Sequence, residues 1–279
     1  MLQVNYYFLR FHISTATDIE SKLNFILKGL SSKAVVEQYG YSFKFFDIES
    51  INEDDTIFIT GHLVKYTGDY DEEVVDEKLS GLTETNIKNK VVGKVRFFLM
   101  PDSALIAFHE QGNILNRSIF QNKFSELFDK NFDNYFVKFS TSPIVEQYSF
   151  LEEVKKFKSI KKVEINLIPS NPRFSDRWKT IDERLRINHI TNYKEILENK
   201  LTGSVEIDKE TESKIYMSED GYGEASAHGL DVNGEKKSIS TKSRNKVAKK
   251  SVPADFLDAT SLLRLLMPVL LEIVKRTKK

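Results

Sequence analysis

The chain of 279 residues contains no cysteine. That excludes disulfides and thiolate metal sites, and it fits a reducing compartment. No run reaches 18 apolar residues, and the longest apolar stretch, near the C-terminus, is broken by Arg264, Pro268 and Glu272. A membrane-spanning helix is therefore not expected. The opening segment MLQVNYYFLRFHIS lacks a basic stretch followed by a cleavable apolar one, so no signal peptide is expected and the predicted location is cytoplasmic. Phosphate-binding GxGxxG and GxxxxGK[ST] patterns are missing, as are the GxSxG nucleophile turn and HExxH metal spacing. No helix-turn-helix, zinc-finger or RNA-recognition aromatic motif is present. No cofactor is expected.

Charge is balanced in total, with 41 basic and 41 acidic residues, but it is segregated along the chain. Residues 1–140 carry 15 Lys/Arg against 20 Asp/Glu, residues 141–230 carry 14 against 16, and residues 231–279 carry 12 against 5. A polyanion would meet a dipolar molecule, basic at its C-terminal end. The hydrophobic share of 40%, with 20 Phe and 11 Tyr, supplies a core and favours sheet packing.

The pattern predicts an α+β protein. Its β-rich N-terminal domain covers residues 1–145, and a mixed α/β C-terminal domain over 146–279 ends in a long apolar helix. Strands are expected over Leu2–Ile13, Tyr41–Ile48, Thr56–Tyr66, Val91–Met100 and Ser103–His109. The polar turn Asn52–Asp55 predicts a hairpin between the second and third of these. The acidic stretch 68–90 reads as a solvated loop. Ile119, Phe120, Phe124, Leu127 and Phe128 form a helical stripe within Asn116–Phe132. Val163, Ile165 and Leu167 alternate within a strand that Pro169 and Pro172 terminate. Beyond it, Ser175–Leu185 predicts a helix, Asn192–Leu197 a helical turn, and Thr202–Ile207 a weak strand. Residues 236–250 read as a basic arm. The helix over 255–274 is apolar on more than one side, which suggests a partner contact and a homodimer.

The histidines His12, His62, His109, His189 and His228 form no compact cluster with carboxylates in the sequence, and a structural role is the expected fate of each. Asp176, Asp182 and Glu183 could hold a nuclease metal, because paired carboxylates can clamp the attacking and leaving oxygens. Nothing in their spacing specifies that arrangement. The better handle is charge. The segment 236–250 holds seven basic residues and no acidic one: Lys236, Lys237, Lys242, Arg244, Lys246, Lys249 and Lys250. A second group, Lys155, Lys156, Lys158, Lys161 and Lys162, precedes the 163–168 strand. Such residues neutralise phosphates without reading base sequence. The expected function is non-enzymatic, sequence-nonspecific DNA binding. The alternatives are a protein-interaction component of a defence or regulatory complex and a metal-dependent nuclease.

Two short segments carry a resemblance. PSNPRFSD at 169–176 and IYMSEDGYG at 215–223 resemble the C-terminal half of the RexA family of lambdoid phage exclusion proteins. The matching positions are Asn171, Pro172, Phe174, Ser175 and Asp176, then Tyr216, Ser218, Glu219 and Gly221. The resemblance implies a cytoplasmic, prophage-encoded defence sensor. It also implies a dimer that binds double-stranded DNA and signals to a small membrane effector protein. It implies no catalytic residues.

Overall fold

The computed structural model describes residues 3–15, 21–31, 33–76, 81–133, 137–146, 149–170, 175–243, 247–254 and 258–276. In chain order the elements begin β1 (Gln3–Thr15), α1 (Lys22–Gly29), β2 (Val36–Gln38), β3 (Tyr41–Glu53) and β4 (Thr56–Thr67). Next come β5 (Tyr70–Asp76), β6 (Gly81–Ile87), β7 (Val91–Met100), β8 (Leu105–His109), α2 (Arg117–Lys130) and β9 (Val137–Pro143). Then follow α3 (Ser149–Val154), β10 (Ser159–Leu167), α4 (Lys179–Ile187), β11 (Tyr193–Glu198) and α5 (Lys209–Glu219). The last are β12 (Gly223–Leu230), β13 (Lys236–Ser240), β14 (Lys249–Pro253) and α6 (Ala259–Arg276). The chain forms two compact units. A terminal unit comprises Met1–His12, Asp102–Ala107 and Ser140–Lys279, and a mid-chain unit comprises Ile13–Pro101 and Phe108–Phe139.

In the mid-chain unit, β7, β4, β3 and β2 pair in that order, all antiparallel. The period-2 alternation puts Phe45, Leu63 and Val95 side by side on one face. Helix α2 covers that face with its predicted stripe. Phe124 lies 4.9 Å from Phe45 and 5.1 Å from Phe97, ring centre to ring centre, and Phe120 stacks on Phe108 at 3.9 Å. Asn116 caps α2, its side chain accepting from the Ile119 amide at 3.0 Å. Asn131, just past α2, fixes the segment after α1. Its Nδ2 donates to the Gly29 and Ser31 carbonyls, and its Oδ1 accepts from Ser31 Oγ and the Ala34 amide. The expected hairpin is present, with Asp54 and Asp55 both left-handed between β3 and β4. Where composition predicts a solvated loop at 68–90, β5 and β6 form a two-stranded antiparallel ribbon. Period-2 placement of Tyr70, Glu72 and Val74 on its half-buried side explains the strand; the acidic side chains between them hid it.

In the terminal unit, β11, β10, β12 and β13 make an antiparallel sheet. Val163, Ile165 and Leu167 of β10 enter one core with Phe150 and Leu151 of α3, Ile181 and Leu185 of α4, and Ile215 and Met217 of α5. Asp208 caps α5 by accepting from the Thr211 amide at 2.8 Å. Within the expected basic arm 236–250, Lys236–Ser240 form β13, paired with β12, and Lys249 and Lys250 begin β14, paired with β1.

The molecule is α+β, with a C-terminal region that combines helices α3, α4 and α5 with an antiparallel sheet, as expected. The expected architecture needs one correction: the chain does not end in a long apolar helix over 255–274. Helix α6 spans Ala259–Arg276 and is amphipathic. Leu262, Leu263, Leu266, Met267, Leu270, Ile273 and Val274 are buried, while Arg264, Pro268, Leu271, Glu272 and Lys275 form an exposed stripe. The density of leucines masks this 3.6-residue period in the sequence. Among the described residues, no helix is long and apolar enough to cross a membrane. β11 lies where a helical turn is expected, because Tyr193, Glu195 and Leu197 are half-buried and alternate with exposed Lys194, Ile196 and Glu198. No strand forms over 202–207.

Candidate nucleic-acid interface

The segment Ser218–Gly223 is the structural pivot of the terminal unit. Arg10 and His12, two residues apart on β1, both reach it. Arg10 Nε donates to the Asp220 carbonyl at 2.8 Å, and a second guanidinium nitrogen donates to the Ser103 carbonyl at 2.8 Å. His12 Nε2 donates to the Gly221 carbonyl at 2.8 Å. The Asp220 carboxylate accepts from Trp178 Nε1 at 3.0 Å and pairs with Arg276 at 3.3 Å. Tyr222 packs on Trp178 and lies under the Arg10 guanidinium, 4.7 Å from ring centre to Cζ. Gly221 is obligatory here: its φ is +84°, and a Cβ would stand 2.7 Å from the Arg10 Cβ.

Burial sets the protonation of this centre. It pushes His12 down to about 4, with Arg10 adding to the effect and the Gly221 carbonyl opposing it. It pushes Glu219 up to about 7 against the Phe150 and Leu151 amides, which favour the ionised form. Asp220 is also raised by burial, against Arg276, Trp178 and Arg10. Arg10, His12, Trp178, Glu219, Asp220 and Tyr222 are all buried. Their mutual hydrogen bonds and ring contacts fix the Ser218–Gly223 segment against β1. It includes Ser218, Glu219 and Gly221 of the second resemblance segment. In the first segment, Asn171, Pro172 and Phe174 lie outside the described residues, Ser175 is buried, and Asp176 is exposed.

The nuclease candidates are dispersed in environment. Asp182 is buried and fully engaged, accepting from the Ser170 amide at 2.6 Å, Ser170 Oγ at 2.7 Å and Arg186 Nε at 2.8 Å. Asp176 and Glu183 are exposed. Among the described residues, no group of three or more His, Asp or Glu could hold a metal ion, which argues against the nuclease alternative.

The predicted lysines fall into distinct settings. Lys158 donates its amide to the Leu230 carbonyl at 2.9 Å, and Leu230 is registered with Lys236. Lys237 lies 5.9 Å from the Phe157 ring centre and 4.0 Å from Glu153. The end of α3 and the start of β13, some 80 residues apart in sequence, thus meet at one corner of the sheet. Exposed Lys156, Lys158 and Lys236 gather there, and no ion pair holds them among the described residues. Lys155 pairs with Glu212 at 2.6 Å, Lys242 with Glu224 at 2.7 Å, and Lys162 with Glu164. Lys161 donates to the Leu201 and Gly203 carbonyls. Lys249 and Lys250 lie on β14, opposite Tyr7 and Tyr6 of β1. Arg244 and Lys246 lie outside the described residues.

These features define an α+β protein with a charge-pinned terminal unit and a lysine corner. The chain belongs to the family described as "Domain of unknown function (DUF4747)", whose model matches residues 4–267. None of the curated proteins matches it.

Proposed function

We propose that the protein is a non-enzymatic, sequence-nonspecific binder of double-stranded DNA, using the corner formed by Lys156, Lys158, Lys236 and Lys237. The observation that carries this reading is the meeting of two lysine groups remote in sequence, three of whose members have no intramolecular counter-ion among the described residues. Magnitude limits the claim. Glu152, Asp231 and Glu235 flank the corner, so its field is modest. Three neutralised phosphates give a log–log salt slope of about −3, or roughly 40-fold weaker binding between 50 and 200 mM salt. That describes a weak, backbone-directed contact. The likeness of 169–176 and 215–223 to RexA proteins suggests the setting, a phage-exclusion sensor for which DNA contact is the trigger.

Fluorescence anisotropy with duplex DNA over that salt range tests the reading. Replacing Lys156, Lys158 and Lys236 together by Gln should abolish most of the salt slope while leaving the melting temperature unchanged. Wild-type affinity and slope in the triple variant would overturn the assignment. A protein partner recovered from nuclease-treated lysate, with no DNA binding by the purified chain, would favour the interaction-component alternative.

A further inference from the structure

The lysine corner has a joint at Gly229. Ala225, Ala227 and Gly229 alternate along the buried face of β12. This series is smallest at the end of the strand, where the segment between α3 and β10 approaches it. A Cβ on Gly229 would overlap the Ser159 carbonyl oxygen and stand 2.7 Å from Phe157 Cδ2 and 3.1 Å from the Ile160 Cα. A strand glycine pressed this closely by another backbone marks a required approach. The pairing of β10 with β12 is irregular at the same place, between Ile160 and Lys162.

The neighbours of this contact carry the lysines. Phe157 lies between Lys156 and Lys158 in the chain. The Lys158 amide donates at 2.9 Å to the carbonyl of Leu230, the residue after Gly229. On the other side of β12, Gly229 is opposite Lys237 and Leu230 is opposite Lys236. Lys237 Nζ lies 5.9 Å from the Phe157 ring centre. Gly229 therefore meets one lysine group through Phe157 and Ser159, and the other through its partner on β13. A side chain at 229 would have to push the 157–159 backbone away from β12, because a main-chain carbonyl cannot rotate aside as a side chain can. That movement would draw Lys156 and Lys158 away from Lys236.

We propose that Gly229 is the positioning residue of the corner, holding the two lysine groups together as one phosphate-binding site. The role rests on DNA binding at the corner, but the joint itself can be followed without DNA. Amide exchange at Lys158 reports whether it is closed. In Gly229→Ala this exchange should quicken at least ten-fold, while Ile165 in the middle of β10 changes less. With duplex DNA, the salt slope of the variant should fall from about −3 to about −2, the value for Lys156 and Lys158 acting alone. Ala227→Gly, on the same face one step inward, controls for lost stability: it should lower the melting temperature and leave the slope unchanged. Phe157→Ala opens the joint from the other side and takes the place of Gly229→Ala if that variant does not fold; both readouts should move in the same direction. Wild-type exchange at Lys158, or a wild-type slope, in the variant that folds overturns the positioning role. So does an equal fall in slope in Ala227→Gly, because lost stability would then account for it. Absence of DNA binding by the wild type sinks the DNA reading instead, and faster Lys158 exchange in the variant would then leave Gly229 a structural joint only.

Discussion

The interior of the mid-chain unit is filled largely with phenylalanine. Phe124 alone touches Phe45, Phe97, Phe120 and Phe139, with ring centres 4.9–5.3 Å apart. The terminal unit has an apolar core too, but beside it lies a buried centre of Arg10, His12, Trp178, Glu219, Asp220, Tyr222 and nearby Arg276. The two solutions differ in directionality. Ring packing is attractive over many orientations, so it rewards volume and tolerates adjustment. A buried carboxylate that serves an indole N–H and a guanidinium has few acceptable geometries, and each lost partner leaves a desolvated group behind. The mid-chain unit should therefore be forgiving of conservative substitution, and the terminal unit should not.

The largest expected effect tests that contrast at Asp220. Asp220→Ala removes the acceptor of Trp178 Nε1 and the partner of Arg276. Breaking a buried charge pair on one side costs about 3–5 kcal/mol, a large share of ordinary domain stability. Trp178 is the one tryptophan in the chain and lies against the site, so its fluorescence in a urea titration reports the loss directly. A cost below about 1 kcal/mol would mean that the centre is not what holds the terminal unit, since even an ordinary hydrogen bond contributes that much.

Protonation separates the units next. In the mid-chain unit, burial pushes both His62 and His109 down to about 4, with Lys94 and Arg96 adding at His62 and Asp47 opposing. A histidine held neutral stabilises the fold above its unfolded value of about 6.5, and that contribution is lost as pH falls toward 4. His12 in the terminal unit has the same sign. Glu219 has the opposite sign. Its pKa is raised to about 7, so its stabilising contribution is complete below the unfolded value near 4.3 and is lost as pH rises through 7. Asp220, also raised, acts in the same direction as Glu219. Between pH 4.5 and 6.5 the terminal unit thus compensates, with opposing effects of about 3 kcal/mol each for a 2.5-unit shift. The mid-chain unit does not. Amide exchange, corrected for its intrinsic pH dependence, should show protection in β4 falling more than protection in β10 between pH 7.5 and 5. Glu219→Gln should weaken the compensation, leaving only the raised Asp220 to oppose His12, and make β10 lose more protection than in the wild type. Equal losses in both units of the wild type would contradict the balance.

The contrast also explains what could be read from the sequence. Period-2 and period-3.6 signals came through where burial is one-sided and apolar, as in Val163, Ile165 and Leu167 of β10 and the phenylalanine stripe of α2. They failed where the faces are only half-buried, in β11, or where charges occupy a strand, in β5. They also failed where leucines on both sides of Pro268 blurred the exposed stripe of α6. The buried centre was the least legible part, because Arg10 and Asp220 meet across 210 residues. A faint signal existed: two basic-type side chains, Arg10 and His12, share one face of an otherwise apolar strand. The lysines were visible as charges, but their carboxylate partners Glu164, Glu212 and Glu224 were not, and those partners decide which lysines remain available to a ligand.

The smallest effect is the most discriminating. Phe124→Leu removes a ring from the middle of the α2 face but preserves an apolar side chain of similar reach. The lost aromatic pairing contributes about 0.5–1.5 kcal/mol, and neighbouring rings can shift to recover part of the volume. The expected cost is therefore at most about 1.5 kcal/mol, with an unchanged denaturant slope, since the surface exposed on unfolding stays nearly the same. If Phe124→Leu instead destabilises as much as Asp220→Ala, ring geometry in the mid-chain unit is as exacting as charge geometry in the terminal one. The phenylalanines would then have to be understood as a fixed lattice, and tolerance to substitution would no longer distinguish the two interiors.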